Sequence, residues 1–412
     1  MTTIPLLKDK RIVLGVTGSI AAYKAADLAS KLTQAGALVD CVLTEAAARF
    51  VTPLTFQSVT GRPAHTDLWA ASAETHVVHV TLGEQADLLI IAPATAETLA
   101  KMAHGLADNL LTVTALAARC PVLAAPAMDG GMFAHAATQA NLQTLRERGV
   151  TVLGPAEGRM ASGLVGLGRM VEPDEILGQA RLALAQGGPL AGKRVVVSAG
   201  GTQEPLDPVR FISNRSSGKQ GYALAQAALD HGAEVTLVAG PTSLATPVGA
   251  ALMRVQTAAE MAEAVLRASA EADVLLMAAA VADFRPRAVA EHKLKKSAVP
   301  EIQLEKTVDI LWAVAEARAA GPGHRPAIVV GFAAESQDLI ANAREKVLRK
   351  RLDLIAANDI SATDAGFSVD TNRVTLIDAR GGTETLPLLT KTQVAETVIA
   401  RVEKMLAGGT WQ

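Results

Sequence analysis

Two stretches far apart in the chain share one design. The first reads Lys10-Arg11-Ile12-Val13-Leu14-Gly15-Val16-Thr17-Gly18, passes through an Ala-rich helical segment, and resumes at Ala35-Gly36-Ala37-Leu38-Val39-Asp40-Cys41-Val42-Leu43-Thr44. The second reads Lys193-Arg194-Val195-Val196-Val197-Ser198-Ala199-Gly200-Gly201, reaches a helical segment from Gly221 to Asp230, and resumes at Gly232-Ala233-Glu234-Val235-Thr236-Leu237-Val238. A short β-branched run, a Gly-rich turn, a helix and a second apolar strand make a βαβ opening. Such a unit demands parallel strands joined by a right-handed crossover.

Each opening is followed by further continuous apolar runs, the pattern of strands covered on both faces. In the first half these are Ala86–Ala92 and Pro121–Ala125; in the second, Ala272–Met277 and Ala327–Gly331. Gly and Pro cluster at Gln186-Gly187-Gly188-Pro189-Leu190-Ala191-Gly192, which marks a boundary. The expectation is an α/β protein of two doubly wound, Rossmann-like domains with mostly parallel sheets, 1–190 and 191–412. Lys10 to Gly36 spans 26 positions, whereas Lys193 to Gly232 spans 39, and the extra residues include Pro205–Arg210. An insertion between a parallel strand and its helix falls at the ligand-binding edge of such a sheet.

Charge narrows the function classes. Lys and Arg number 39 against 41 Asp and Glu, a net charge of −2, and aromatic residues are only 3%. That balance leaves no electrostatic footprint for nucleic acid or anionic membranes and no base-stacking platform. Cys41 and Cys120 are too few for a disulfide framework or a four-thiolate zinc site, so they read as small core residues of a reduced, cytoplasmic protein. No apolar run approaches the length of a membrane span. Lys8, Lys10 and Arg11 before an apolar stretch echo a signal peptide, but the segment reads as a first strand entering a helix.

Candidate site residues lie at strand ends. Gly18-Ser19-Ile20-Ala21-Ala22-Tyr23-Lys24 opens a helix whose unpaired N–H groups suit a phosphate, although a plain tight turn explains it equally well. Ala92-Pro93-Ala94-Thr95-Ala96 and Pro126-Ala127-Met128-Asp129 follow later strands, and His76 and His79 precede one. In the second half, Asp207-Pro208-Val209-Arg210-Phe211-Ile212-Ser213-Asn214-Arg215-Ser216-Ser217-Gly218-Lys219 is polar and basic before a helix, yet is no Walker A loop. Ala278-Ala279-Ala280-Val281-Ala282-Asp283-Phe284 ends a strand with small residues beside a carboxylate. Lys293-Leu294-Lys295-Lys296 reads first as solvated surface, and Lys346 and Lys350 share one helical face.

These motifs carry a resemblance. Gly18–Lys24, Ala92–Ala96, Pro126-Ala127-Met128 with Met132, and Gly168-Arg169-Met170 resemble the homo-oligomeric flavin-containing cysteine decarboxylases. Over nearly its whole length the chain resembles the bifunctional phosphopantothenoylcysteine decarboxylase/phosphopantothenate–cysteine ligase family of coenzyme A synthesis. The resemblance implies FMN in the first domain, held by Gly18, Ser19, Ile20, Thr44, Pro93, Ala94 and Thr95. There the family oxidises the thiol-bearing carbon of its substrate to a thioaldehyde, so that the carbanion left by carbon dioxide is stabilised. His79 is implied as the catalytic base, with Met128 and Asp129 at the substrate. Two positions depart from the pattern: Pro-Ala-Met-Asn ends in Asp129, and Ser162 replaces the Cys that donates a proton in the reduction step.

For the second domain the resemblance implies CTP-dependent coupling of 4'-phosphopantothenate to cysteine through an acyl-cytidylate. Asn214 would assist acyl transfer, Lys293 would neutralise charge as the acyl-cytidylate forms, and Arg210 would contact substrate. Ser216, Gly218, Met277, Ala278, Ala279, Asp283, Lys293, Val308, Asp309, Ile310, Leu311, Phe332, Lys346 and Lys350 would bind CTP, with Mg²⁺ at Asp283; Val308 stands where the family has Pro. The family implies a homo-oligomer, trimeric through the first domain and dimeric through the second, which together build a dodecamer. Small molecules are its only other partners. Asp129 and Ser162 sustain another reading, an active ligase fused to a different flavin enzyme or to a flavoprotein domain with incomplete decarboxylase activity; the resemblance also leaves a regulatory role for that domain, against which His79 speaks.

Overall fold

A computed structural model describes residues 3–69, 78–161, 163–294, 301–320, 323, 325–335, 338–359 and 369–409. The chain forms two compact units, Met1–Ala185 and Gln186–Gln412.

The first unit is built on a six-stranded sheet in the order Ala64–His65, Leu38–Leu43, Arg11–Val16, Leu88–Ala94, Val122–Pro126, Thr151–Val152. All five pairings are parallel. Arg11–Val16 and Leu88–Ala94 are neighbours in space though far apart in sequence, so chain direction across the sheet reverses between them. Ligands of open parallel sheets bind in the crevice at that reversal. The Leu88–Ala94 strand is buried along its whole length and runs two residues beyond the apolar stretch visible in the sequence. Cys41 sits in this core, where burial pushes its thiol up to about 12. A separate antiparallel hairpin pairs Ala156–Arg159 with Val165–Arg169.

The second unit carries an eight-stranded sheet in the order Ala251–Arg254, Glu234–Ala239, Arg194–Ala199, Val274–Met277, Ile328–Glu335, Leu354–Asp359, Val374–Asp378, Thr383–Thr385. The first five pairings are parallel and the last two are antiparallel, so Val374–Asp378 alone runs against the rest, which fits the mostly parallel expectation. Its reversal point lies between Arg194–Ala199 and Val274–Met277. The long insertion before the Lys219–Asp230 helix folds as a small antiparallel hairpin, Gln203–Pro205 against Phe211–Ser213. No helix among the described residues is long and apolar enough to cross a membrane.

Candidate active sites at the two strand-order reversals

In the first unit the reversal point is tied together by Thr17. This residue is fully buried. Its Oγ1 donates to the Pro93 carbonyl at 2.7 Å and accepts from the Thr95 N–H at 3.0 Å, locking the ends of two neighbouring strands. Thr17 was not singled out by motif; its position just before Gly18 was the available signal. A Cβ on Gly18 would stand 2.4 Å from the Ala46 Cβ, so only glycine fits this turn. The helix that follows, Ala22–Gln34, has no side-chain cap at its start. Helices beginning at Glu45, Ala96 and Leu110 are capped by Thr44, Thr95 and Asn109. An uncapped, partially positive helix start beside a glycine turn accepts a phosphate. Ile20 and Tyr23 stand exposed at the same helix start and offer apolar surface. The residues present therefore fit a group with a phosphate tail and an apolar ring, such as FMN. Gly18, Ser19, Ile20, Thr44, Pro93, Ala94 and Thr95 all lie at the carboxyl ends of these strands or just after them.

Met128 and Asp129 follow the Val122–Pro126 strand. The Met128 N–H donates to the Gly168 carbonyl at 3.0 Å, and a Cβ on Gly168 would come within 2.3 Å of the Met128 carbonyl oxygen. This contact presses the 156–169 hairpin against the turn. Asp129 caps the short Gly130–Ala134 helix, its Oδ1 accepting from the Gly131 N–H at 3.0 Å. The carboxylate thus acts as an acceptor, where an amide would offer a donor. His79 is half-buried on the Val78–Gln85 helix, which packs against Leu110–Ala117. His76 and Ser162 lie outside the described residues.

The second unit opens at its reversal point into a cavity of about 940 Å³. It gathers Asn214, Ser216, Gly218, Met277, Ala278, Ala279, Asp283, Val308, Asp309, Ile310, Leu311, Phe332, Lys346 and Lys350 in its walls. Residues separated by more than a hundred positions thus share one cavity. The Asn214 amide donates to the Val281 carbonyl at 2.8 Å, which fixes it against the small-residue strand end. A Cβ on Gly201 would lie 2.7 Å from the Asn214 carbonyl oxygen, so glycine there lets this loop close in. Gly218 begins the Lys219–Asp230 helix in a left-handed conformation (φ +74°), again with no side-chain cap. Lys350 is ion-paired with Asp309. Burial pulls its ammonium down, and Asp283 opposes that.

Sequence reasoning missed Lys306, Asn358, Asn372 and Lys391, which line the same cavity with Arg215 and Lys219 of the polar segment 207–219. Cations outnumber the carboxylates Asp283 and Asp309 in its walls, which suits a polyphosphate. No cluster of three metal-ligating side chains occurs among the described residues. Asp283 alone suits Mg²⁺ that keeps waters and phosphate oxygens as its other ligands.

Two expected residues stand elsewhere. Lys293 is exposed and outside the cavity walls. Arg210 is also outside them. Its Nε donates to Asp207 Oδ2 at 2.9 Å and its Nη2 to the Leu294 carbonyl at 2.9 Å. Asp207 collects N–H donors from Val209, Arg210 and Leu294 as well, and with the guanidinium they hold its carboxyl well below the usual range. A buried carboxylate so placed captures the nearest guanidinium in its own loop, a competition invisible in a linear motif.

The comparisons with known proteins agree with this architecture. A family model described as Flavoprotein matches residues 5–181, and one described as DNA/pantothenate metabolism flavoprotein C-terminal domain matches residues 190–406. The class is a two-part flavoprotein of pantothenate metabolism. The Coenzyme A biosynthesis bifunctional protein CoaBC of Bacillus subtilis (strain 168) is 44% identical over 401 residues, covering 96% of this chain and 97% of its own. That of Vibrio cholerae is 46% identical over 403 residues, covering 97% and 99%. The chain belongs to this family of bifunctional enzymes. Among solved structures, a C-terminal domain of a Coenzyme A biosynthesis bifunctional protein CoaBC is 39% identical, covering 54% of this chain and all of that one, with a TM-score of 0.46. A PPC decarboxylase mutant complexed with pantothenoylaminoethenethiol is 35% identical, covering 42% and 98%, with a TM-score of 0.39.

Proposed function

We propose that the second domain, 191–412, couples 4'-phosphopantothenate to cysteine with CTP, and that the first, 1–190, decarboxylates the product to 4'-phosphopantetheine. The observation that carries the ligase reading is the lysine-rich cavity built on a small-residue strand end. In the first ligase step the substrate carboxylate attacks the α-phosphate of CTP and pyrophosphate leaves. Lys346 and Lys350 offset negative charge on the nucleotide, Gly218 and Ser216 bring backbone N–H and hydroxyl donors to its phosphates, and Phe332 packs on it. Asp283 would hold Mg²⁺, which would supply further neutralisation of phosphate charge. In the second step the cysteine amine attacks the acyl carbon, an amide forms and CMP leaves, with Asn214 supporting the developing charge. Lys293, exposed outside the cavity walls, is the residue that neutralises charge as the acyl-cytidylate forms.

In the first domain the turn at Gly18 and Ser19, with Ile20, Thr44, Pro93, Ala94 and Thr95, holds FMN. Bound there, the flavin supplies two-electron redox chemistry at the thiol-bearing carbon. His79 serves as the base, Met128 and Asp129 line the substrate side, and Ser162 relays a proton. The full assembly is a homo-oligomer, a dodecamer of trimeric first and dimeric second domains; light scattering reads its mass. A second reading is favoured by the capping role of Asp129: an active ligase whose flavoprotein domain stops short of phosphopantetheine.

Purified protein given phosphopantothenate, cysteine, CTP and Mg²⁺, with products followed by mass spectrometry, tests both. Phosphopantetheine supports the full cycle. Accumulated phosphopantothenoylcysteine, or a product two hydrogens short, supports the second reading. Absence of any amide product sinks the ligase assignment.

A further inference from the structure

The Val274–Met277 strand stops at the cavity, and the chain runs on through Ala278-Ala279-Ala280-Val281-Ala282 to Asp283. Those five residues carry no polar side chain, so none of them can hold the Asp283 carboxylate in place. The regular sheet ladder has also ended, yet Ala282 is only 2% exposed. Its peptide groups are cut off from water and need partners from other segments. Residues 198–202 take up the N–H groups. The Ser198 Oγ accepts from the Ala279 N–H at 3.0 Å, the Gly200 carbonyl from the Ala280 N–H at 2.8 Å, and the Thr202 Oγ1 from the Ala282 N–H at 3.0 Å.

The carbonyl groups are taken from the other side. Thr307 follows the Leu304–Lys306 strand, which pairs antiparallel with Phe284–Pro286. Asp283 and Thr307 therefore stand opposite each other at the root of one hairpin. The Thr307 Oγ1 donates to the Ala282 carbonyl at 2.6 Å, and the Thr307 N–H donates to the Asp283 carbonyl at 3.0 Å. Thr202 is itself fully buried, and its carbonyl accepts from the Ser213 Oγ at 2.7 Å. Two threonines, about a hundred positions apart, thus hold both peptide groups that flank the Ala282 Cα and the carbonyl of Asp283. The carboxylate lines the cavity, close enough to Lys350 to favour its charged form. Holding a charged group in advance removes the cost of ordering it when a ligand arrives.

We propose that Thr202 and Thr307 form a hydroxyl clamp that presents the Asp283 carboxylate to the bound nucleotide. The proposal rests on the ligase reading, in which Asp283 faces CTP. Both threonines are positioning residues. They act through Asp283, so their hydroxyls matter to the nucleotide only while that carboxylate is present.

Calorimetric titration of CTP into the full chain, with Mg²⁺ present, tests this. Asp283→Asn is measured first and weakens CTP binding by about tenfold or more. Binding as tight as in the wild type refutes the nucleotide reading of Asp283, and the clamp with it. Thr202→Val and Thr307→Val keep the side-chain shape and lose the hydroxyl. Each weakens CTP binding by about three- to tenfold, the worth of one hydrogen bond. Thr202→Ser and Thr307→Ser keep the hydroxyl and stay within about twofold of the wild type. In the Asp283→Asn background the Val changes cost less than about twofold, because positioning has nothing left to act on. The KM for phosphopantothenate, read by pyrophosphate release, stays within about twofold in both Val variants. Val variants that bind CTP like the wild type, while Asp283→Asn does not, refute the clamp alone. An equal loss with and without Asp283 also refutes it, since the hydroxyl then acts on the nucleotide by another route. Should a Val variant fail to fold, hydrogen exchange of the wild-type protein decides. Slow exchange of the Ala282 and Thr307 amides before CTP is added supports the clamp, and fast exchange until CTP arrives overturns it.

Discussion

His231 ends the Lys219–Asp230 helix and lies between two carboxylates of the Lys391–Leu406 helix. Its Nε2 is 3.0 Å from Glu396 Oε2, and its Nδ1 is in close contact with Glu403. Glu396 and Glu403 are seven residues apart, two helical turns, and so share one face. All three side chains are about one-fifth exposed. Hydrogen bonding to Glu396 first, then to Glu403, raises the imidazolium to about 9 from an ordinary 6.5, against the opposing pull of burial. The folded state therefore binds the proton more tightly than the unfolded chain does. The stabilisation is fully present below pH 6.5 and is lost as pH rises through 9. At 1.36 kcal/mol per unit, the clamp contributes about 3 kcal/mol at most. For a unit of this size that corresponds to about 6–12 °C in melting temperature. Calorimetry of the wild-type chain and of His231→Gln, from pH 6 to pH 9.5, isolates the effect. The transition of the second unit falls with pH in the wild type and loses most of that slope in the variant. Equal slopes in the two proteins refute the reasoning, because every other titrating group is shared.

Further outcomes follow from the two sites. Gly18→Val puts side-chain atoms where the Ala46 Cβ already stands, and the purified variant carries little bound flavin by absorbance while retaining the circular dichroism of the wild type. Lys350→Met removes the cation paired with Asp309 and raises the KM for CTP by about tenfold or more, measured by pyrophosphate release. Asp207→Asn loses the anion that holds Arg210 and three backbone N–H groups. Limited proteolysis then cuts within 203–213 sooner than in the wild type. The Asp207 carboxyl, held far below its ordinary range, stays ionised well into acid, so protonation leaves this loop intact to lower pH than an ordinary aspartate would allow.

Much of the fold was legible in local patterns. Arg11–Val16 and Arg194–Ala199 announce themselves because a buried parallel strand must be apolar throughout, and the turn after each must be small. The same logic exposed the strand end at Met277–Ala279 and the loop at Asn214–Gly218. Strand ends were less legible: Leu88–Ala94 continues through Pro93, where a sequence pattern suggests a turn. Thr17 was overlooked because a threonine reveals nothing until its two partners, Pro93 and Thr95, are brought across from another strand.

What the sequence by itself determined is the pair of βαβ openings, and with them parallel sheets whose carboxyl ends carry the candidate chemistry. Periodicity and glycine turns act over a few residues, so they can be read directly. Tertiary structure alone decided which charges share a cavity. Lys391 follows Lys219 by more than 170 positions and meets it only because two helices pack side by side. Arg210, close in sequence to Asn214, turns away because Asp207 lies within reach of its guanidinium. Long-range electrostatics depends on distance in space, and only the folded sheet order sets that distance.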